Sequence, residues 1–155
     1  MLLVSFLAGC VSEKELKKPA ISSEGGTGNI DEVNVLAVPV ALDLDQVPGP
    51  DGFVIKVYAG SRKRPKPFGI DDGKLEVLMF DGLPGEASAA AKSSWSYTAE
   101  ELRKFEIRTS IGVGYQITLQ WGKNKPTHDK FTILVIYFPS KGRPIRSAPS
   151  IIAAR

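Results

Sequence analysis

The most reactive group in this sequence is a thiol, and it occurs once, at Cys10. It follows Leu7-Ala8-Gly9, one apolar residue and then two small ones. Small side chains let the backbone enter a peptidase cleft, and the sulfur is a nucleophile that can accept a covalent group. Residue types for other chemistry are sparse. His128 is the only histidine, so a hydrolytic triad or a His-containing metal site would have to use it. No Gly-x-Ser-x-Gly elbow accompanies it, and a zinc site needs several Cys or His ligands. His128, beside Asp129, is read as a solvated turn residue. Gly112-x-Gly114 is half of a dinucleotide fingerprint. Ile117 stands where the third glycine belongs and no helix follows, so the pair is read as easing the start of a strand.

Two groupings could recruit a charged partner. Asp43, Asp45 and Asp51 flank one turn, with Asp71 and Asp72 placed at the same end of the fold. Carboxylates converging from loops are how Ca²⁺ is held, at ~6–8 oxygen ligands. The spacing departs from the EF-hand loop, and turn-forming, edge-protecting aspartates are the commoner case. No metal site is assigned. Arg62, Lys63, Arg64 and Lys66 lie close together, with Pro65 and Pro67 among them. Proline lowers the entropy lost when a segment is immobilised. This loop is the candidate contact for an anionic partner: lipid head groups, lipopolysaccharide phosphates or an acidic cell-wall polymer. The alternative is a solvated loop whose charges aid solubility.

The order Leu7-Ala8-Gly9-Cys10 resembles the lipobox of bacterial lipoproteins, a likeness confined to the first ten residues. The resemblance implies a diacylglycerol on the Cys10 sulfur and cleavage just before it. It usually implies a further acyl chain on the new N-terminus. One acyl chain holds a protein marginally, whereas two or more anchor it stably. Leu2, Leu3, Val4, Phe6 and Leu7 supply the apolar run of a signal peptide. A complete signal spans ~15–30 residues and starts with positive charge. None precedes Cys10, so residues 1–9 are read as a signal remnant whose true start lies upstream. The run is too short to span a bilayer, which takes about 20 apolar residues. Val11, and not an aspartate, follows the cysteine. By the same resemblance, that points to the outer membrane, facing the periplasm.

The remaining elements must display whatever function there is. In 155 residues, 43% are hydrophobic and 24% charged, close to ordinary globular usage. The net charge of +3 is mild and does not indicate nucleic acid. With one cysteine there is no intrachain disulfide, so packing alone must hold the core. Residues 10–30 read as the lipidated cysteine and a polar, Gly/Ser-rich tether, with a short helix at residues 12–18 as the alternative. Such a linker reaches roughly 25 Å. Residues 31–155 read as one β-sandwich domain.

Fifteen glycines and eleven prolines punctuate short apolar runs, favouring strands over helices. A first strand is expected over residues 33–44, with Val38, Val40, Leu42 and Leu44 on one face. Pro39 puts that strand at an edge or interrupts it. Phe53, Ile55 and Val57 share a face of the next strand, its hairpin partner. Leu75, Val77 and Met79 do so in a third. Residues 86–94 read as a loose loop. Thr98 and Glu101 fit a capping box, so one short helix is expected near residues 98–104. Trp95, Tyr97, Leu102 and Phe105 are expected to pin it. Residues 113–121 alternate most clearly, residues 131–138 read as a central strand, and residues 145–148 as an edge strand.

The expected fold is therefore all-β, an antiparallel β-sandwich resembling immunoglobulin-like, transthyretin-like or C2-like modules. The function expected is that of a lipid-anchored envelope lipoprotein displaying a non-catalytic binding or structural module. It would need no cofactor and would meet the membrane through its N-terminal lipid. An anionic polymer or another envelope protein could be its further partner. The alternatives are a secreted or periplasmic sandwich that binds carbohydrate or Ca²⁺, and an accessory subunit of an envelope complex.

Overall fold

The computed structural model describes residues 29–85 and 90–155. The lipobox, Cys10 and the tether up to residue 28 lie outside the described residues, as do residues 86–89. Nine strands follow in order: β1 (Glu32–Ala37), β2 (Gly52–Gly60), β3 (Lys74–Asp81), β4 (Ser93–Thr98), β5 (Glu106–Thr109), β6 (Gly112–Gln120), β7 (Lys130–Phe138), β8 (Ile145–Arg146) and β9 (Ser150–Ala153). Helix α1 (Ala99–Leu102), continued by a 3₁₀ turn at Arg103–Phe105, separates β4 from β5. One sheet has the order β1-β2-β6-β5. The other runs β4-β3-β7-β8, with β9 also on β7.

All pairings within the sheets are antiparallel. The chain is thus the all-β sandwich expected. Its strand order is that of immunoglobulin constant-type sandwiches, A-B-E-D against C-F-G, with β4 added beside the C position. Such an order carries no function by itself.

Alternation builds the core. Phe53, Ile55 and Val57 of β2, with Tyr115, Ile117 and Leu119 of β6, point inward from the first sheet and are buried. Leu75, Val77 and Met79 of β3, with Phe131, Ile133, Val135 and Tyr137 of β7, face them from the second. Gln116, Thr118 and Gln120 stand exposed on the opposite face of β6. A slip of one residue would exchange these sets, which fixes the register. Strand β7 is central, between β3 and the β8–β9 edge, and Thr132 and Ile136 on its outward side are buried as well. Phe53 packs against Trp95, Trp121 and Phe131 with ring centroids 5.7, 6.4 and 5.3 Å away.

Three expectations need correction. The first strand ends at Ala37, and its inward face is Val33, Val35 and Ala37. Val38 and Val40 are 37% and 46% exposed. Pro39 cannot donate to β2, so the chain swings to the other sheet there. Ala153 gives its N–H to the Pro39 carbonyl at 2.9 Å, and the Ala41 N–H goes to the Ala153 carbonyl at 2.7 Å. Second, Ser93 and Ser94, expected in the loop of residues 86–94, open strand β4, in which Trp95 and Tyr97 alternate with Ser94, Ser96 and Thr98. Third, the final edge is split: β8 and β9 both pair with β7 across Ser147, Ala148 and Pro149. The capping box is present as expected. Glu101 donates its N–H to the Thr98 hydroxyl at 3.2 Å, and the Glu101 carboxylate receives the Thr98 N–H at 2.8 Å.

Candidate functional site

Strand β2 delivers the chain to residues 61–67 at one end of the sandwich. Ser61 and Arg64 close a turn there, Arg64 N–H donating to the Ser61 carbonyl at 2.8 Å. The turn is fastened to the start of β1. The Asp31 carboxylate accepts the Arg62 N–H at 2.9 Å and the Ser61 hydroxyl at 3.2 Å. At the other side of the loop Phe68 is buried and donates its N–H to the Ala59 carbonyl at 3.0 Å. The Arg64 guanidinium carbon lies 4.9 Å from the Phe68 ring centroid, a cation–π contact that leaves the charge at the surface. Arg62, Lys63, Arg64 and Lys66 are all exposed. None of the four forms an ion pair among the described residues.

Gly112 and Gly114 serve this region by close packing. Gly112 has φ +142°, and a Cβ there would lie 2.6 Å from the Pro67 carbonyl oxygen. That oxygen accepts the Val113 N–H at 3.2 Å. The β5–β6 turn therefore abuts the base of the basic loop. A Cβ on Gly114 would fall 2.5 Å from the Tyr58 ring.

Sequence reading missed a second basic loop at the same end. Lys141 and Arg143, between β7 and β8, are exposed and also free of ion pairs among the described residues. Lys141 lines a cleft of about 310 Å³ with Asn29, Ile30, Asp72, Tyr137 and Ser140. There the Asp72 carboxylate accepts the Tyr137 hydroxyl at 2.6 Å, the Ser140 N–H at 3.2 Å and the Ser140 hydroxyl. Hydrogen bonds from Ser140 and Tyr137 hold the Asp72 carboxyl below its ordinary value, against a smaller opposing effect of burial. Burial and the adjacent Asp72 push the Tyr137 phenol up. Ser140 thus donates to a carboxylate whose basicity is lowered.

The aspartates separate. Asp51 accepts the Leu44 N–H at 2.7 Å and the Gln120 side-chain amide at 3.0 Å. Asp45 accepts the Val47 N–H at 2.7 Å, and Asp43 the Gly49 N–H at 3.3 Å. They brace the β1–β2 turn. Asp71 and Asp72 precede β3 at the opposite end, so the five do not converge as expected. No grouping of three metal-ligating side chains occurs among the described residues. His128 is exposed, and its Nδ1 lies 3.1 Å from Asp81 Oδ1.

No protein family and no curated protein matches the sequence. Among solved structures, a multi-modular, cell-surface-expressed chitinase from Paenibacillus sp. is similar over 82% of this chain and 9% of its own. At 15% identity and a TM-score of 0.33, that likeness says nothing about function. No helix among the described residues is long and apolar enough to cross a membrane.

Proposed function

We propose that this protein is a bacterial envelope lipoprotein, anchored through lipid on Cys10, whose β-sandwich serves binding or structural contact and not catalysis. The observation that carries the reading is the chain's single cysteine standing directly after Leu7-Ala8-Gly9. The sandwich supports it in two ways. Its interior is filled by apolar side chains from both sheets, so the groups offered to a partner are on the loops and the outer sheet faces. Its most concentrated charge is the exposed set Arg62, Lys63, Arg64 and Lys66, suited to an anionic partner in the envelope. Val11 after the cysteine favours the outer membrane, facing the periplasm.

Metabolic labelling with palmitate tests the anchor. Wild type should carry label and sediment with membranes, and Cys10→Ser should be unlabelled and soluble. A wild-type protein that is itself unlabelled and soluble would overturn the reading.

A further inference from the structure

We infer that the cationic end of the sandwich is a lipid-docking surface, on which the domain rests against the anionic leaflet that holds its anchor. The proposed anchor decides only which bilayer is met. Lipid binding by the surface itself stands or falls separately.

The first observation is where the chain joins the fold. Asp31 donates its N–H to the Gly60 carbonyl at 3.0 Å, and its carboxylate holds the Arg62 N–H and Ser61 hydroxyl. Asn29 and Ile30 line the cleft that Lys141 borders. The N-terminal segment therefore meets the sandwich between the two basic loops. Asn29, the first described residue, thus lies at this end and not the other.

The second is charge. Arg62, Lys63, Arg64, Lys66, Lys141 and Arg143 all stand exposed around that point. Asp71 and Asp72 offset part of this charge. At the far end Asp43, Asp45 and Asp51 of the β1–β2 turn are accompanied by the exposed Lys123 and Lys125 of the β6–β7 corner. The excess of cations is therefore at the first end, which an anionic leaflet favours within about a Debye length of its surface.

The third favours lipid over a soluble polyanion. Whereas Val47, 68% exposed at the far end, stands between Asp45 and Asp51, Ile111, at the tip of the β5–β6 turn, is 50% exposed at the cationic end. The neighbouring Val113 N–H binds the Pro67 carbonyl, so this tip stands beside the basic loop. An apolar side chain among cations suits the boundary between head groups and acyl chains. A dissolved acidic polymer offers Ile111 nothing to bury in.

The test uses the full chain carrying Cys10→Ser, which has no anchor, and vesicles of phosphatidylcholine with or without phosphatidylglycerol. It should sediment with the mixed vesicles at low salt and not with phosphatidylcholine alone. Changing Arg62, Lys63, Arg64 and Lys66 to Gln should weaken this by roughly tenfold or more. Lys141→Gln with Arg143→Gln should weaken it further. An environment-sensitive dye on Ile111→Cys should report an apolar setting when the mixed vesicles are added, and one on Val47→Cys at the far end should not. Equal sedimentation with both vesicle types, no sedimentation with either, or a response at Val47→Cys instead would overturn the inference. None of these outcomes bears on palmitate labelling of the wild type, so the two readings fail independently.

Discussion

Thr127 donates both its backbone N–H, at 2.9 Å, and its hydroxyl, at 2.6 Å, to the buried carboxylate of Asp81. The His128 N–H, at 3.0 Å, and Lys92 Nζ, at 2.7 Å, complete the set. One side chain at the end of β3 thus ties the β6–β7 corner to the segment leading into β4. Burial alone would raise the Asp81 pKa. The hydrogen bonds from Lys92, Thr127 and the two amides outweigh it and hold the carboxyl far below its ordinary value of 3.8.

The sign of the resulting pH dependence follows. A group whose pKa is lowered by folding contributes fully above its unfolded value and loses that contribution as pH falls below it. Denaturant unfolding should therefore show stability falling below about pH 4, and Asp81→Asn should flatten that acid limb. At neutral pH Asp81→Ala should cost about 1–3 kcal/mol, because it removes the charge-assisted hydrogen bonds that Lys92, Thr127 and His128 make to one carboxylate. An acid limb unchanged in Asp81→Asn would show that another carboxylate governs it.

Core and surface positions of one strand should separate cleanly. Leu119 is buried between the sheets, whereas Gln116 is exposed on the other face of β6. Leu119→Ala should cost roughly 2–5 kcal/mol. Gln116→Ala should change stability by no more than about 0.5 kcal/mol. Equal losses in denaturant melts would contradict the assigned face.

That strand was legible because its alternation is uninterrupted and one face is apolar throughout. Strand β1 misled for the opposite reason. Val38, Val40, Leu42 and Leu44 alternate just as well, but Pro39 diverts the chain to β9 before they can line the core. Local pattern cannot register a partner that lies at the other end of the sequence. Strand β4 was hidden by composition, since only Trp95 and Tyr97 are large and serines separate them. The basic loop was visible as a run of cations. Lys141 and Arg143 were not recognised with it, because only the sheet order brings the β2–β3 and β7–β8 loops to one end.

Gly112 should resist substitution more than a turn residue ordinarily does. Its φ of +142° disfavours any L side chain, and a Cβ would press on the Pro67 carbonyl oxygen at 2.6 Å. Gly112→Ala should cost about 1–3 kcal/mol. It should also perturb the amide resonances of Val113 and Arg64, because the base of the basic loop must shift. Unchanged resonances there would mean the two turns are not coupled.

Ser147 repairs the ladder where the last edge strand breaks. From Arg146 to Ser150 the chain takes four steps, against three on β7 from Ile136 to Ile133. The extra residue is a bulge, and Pro149 within it has no N–H to offer. The Val135 N–H, deep in the central strand, is left facing this gap. It donates instead to the Ser147 side-chain oxygen at 3.1 Å, while the Ser147 N–H returns a bond to the Val135 carbonyl at 2.9 Å. Both residues are buried, so water cannot take the place of the hydroxyl. Ser147→Ala should then cost about 1–3 kcal/mol through one unpaired donor, more than the loss of an exposed serine. Ser147→Thr keeps the oxygen and should recover most of that loss. Hydrogen exchange gives the sharper check. The Val135 amide should exchange much faster in Ser147→Ala, beyond any change at Ile133. Equal acceleration at Val135 and Ile133 would mean that the substitution loosens the whole strand and that the hydroxyl is not the acceptor.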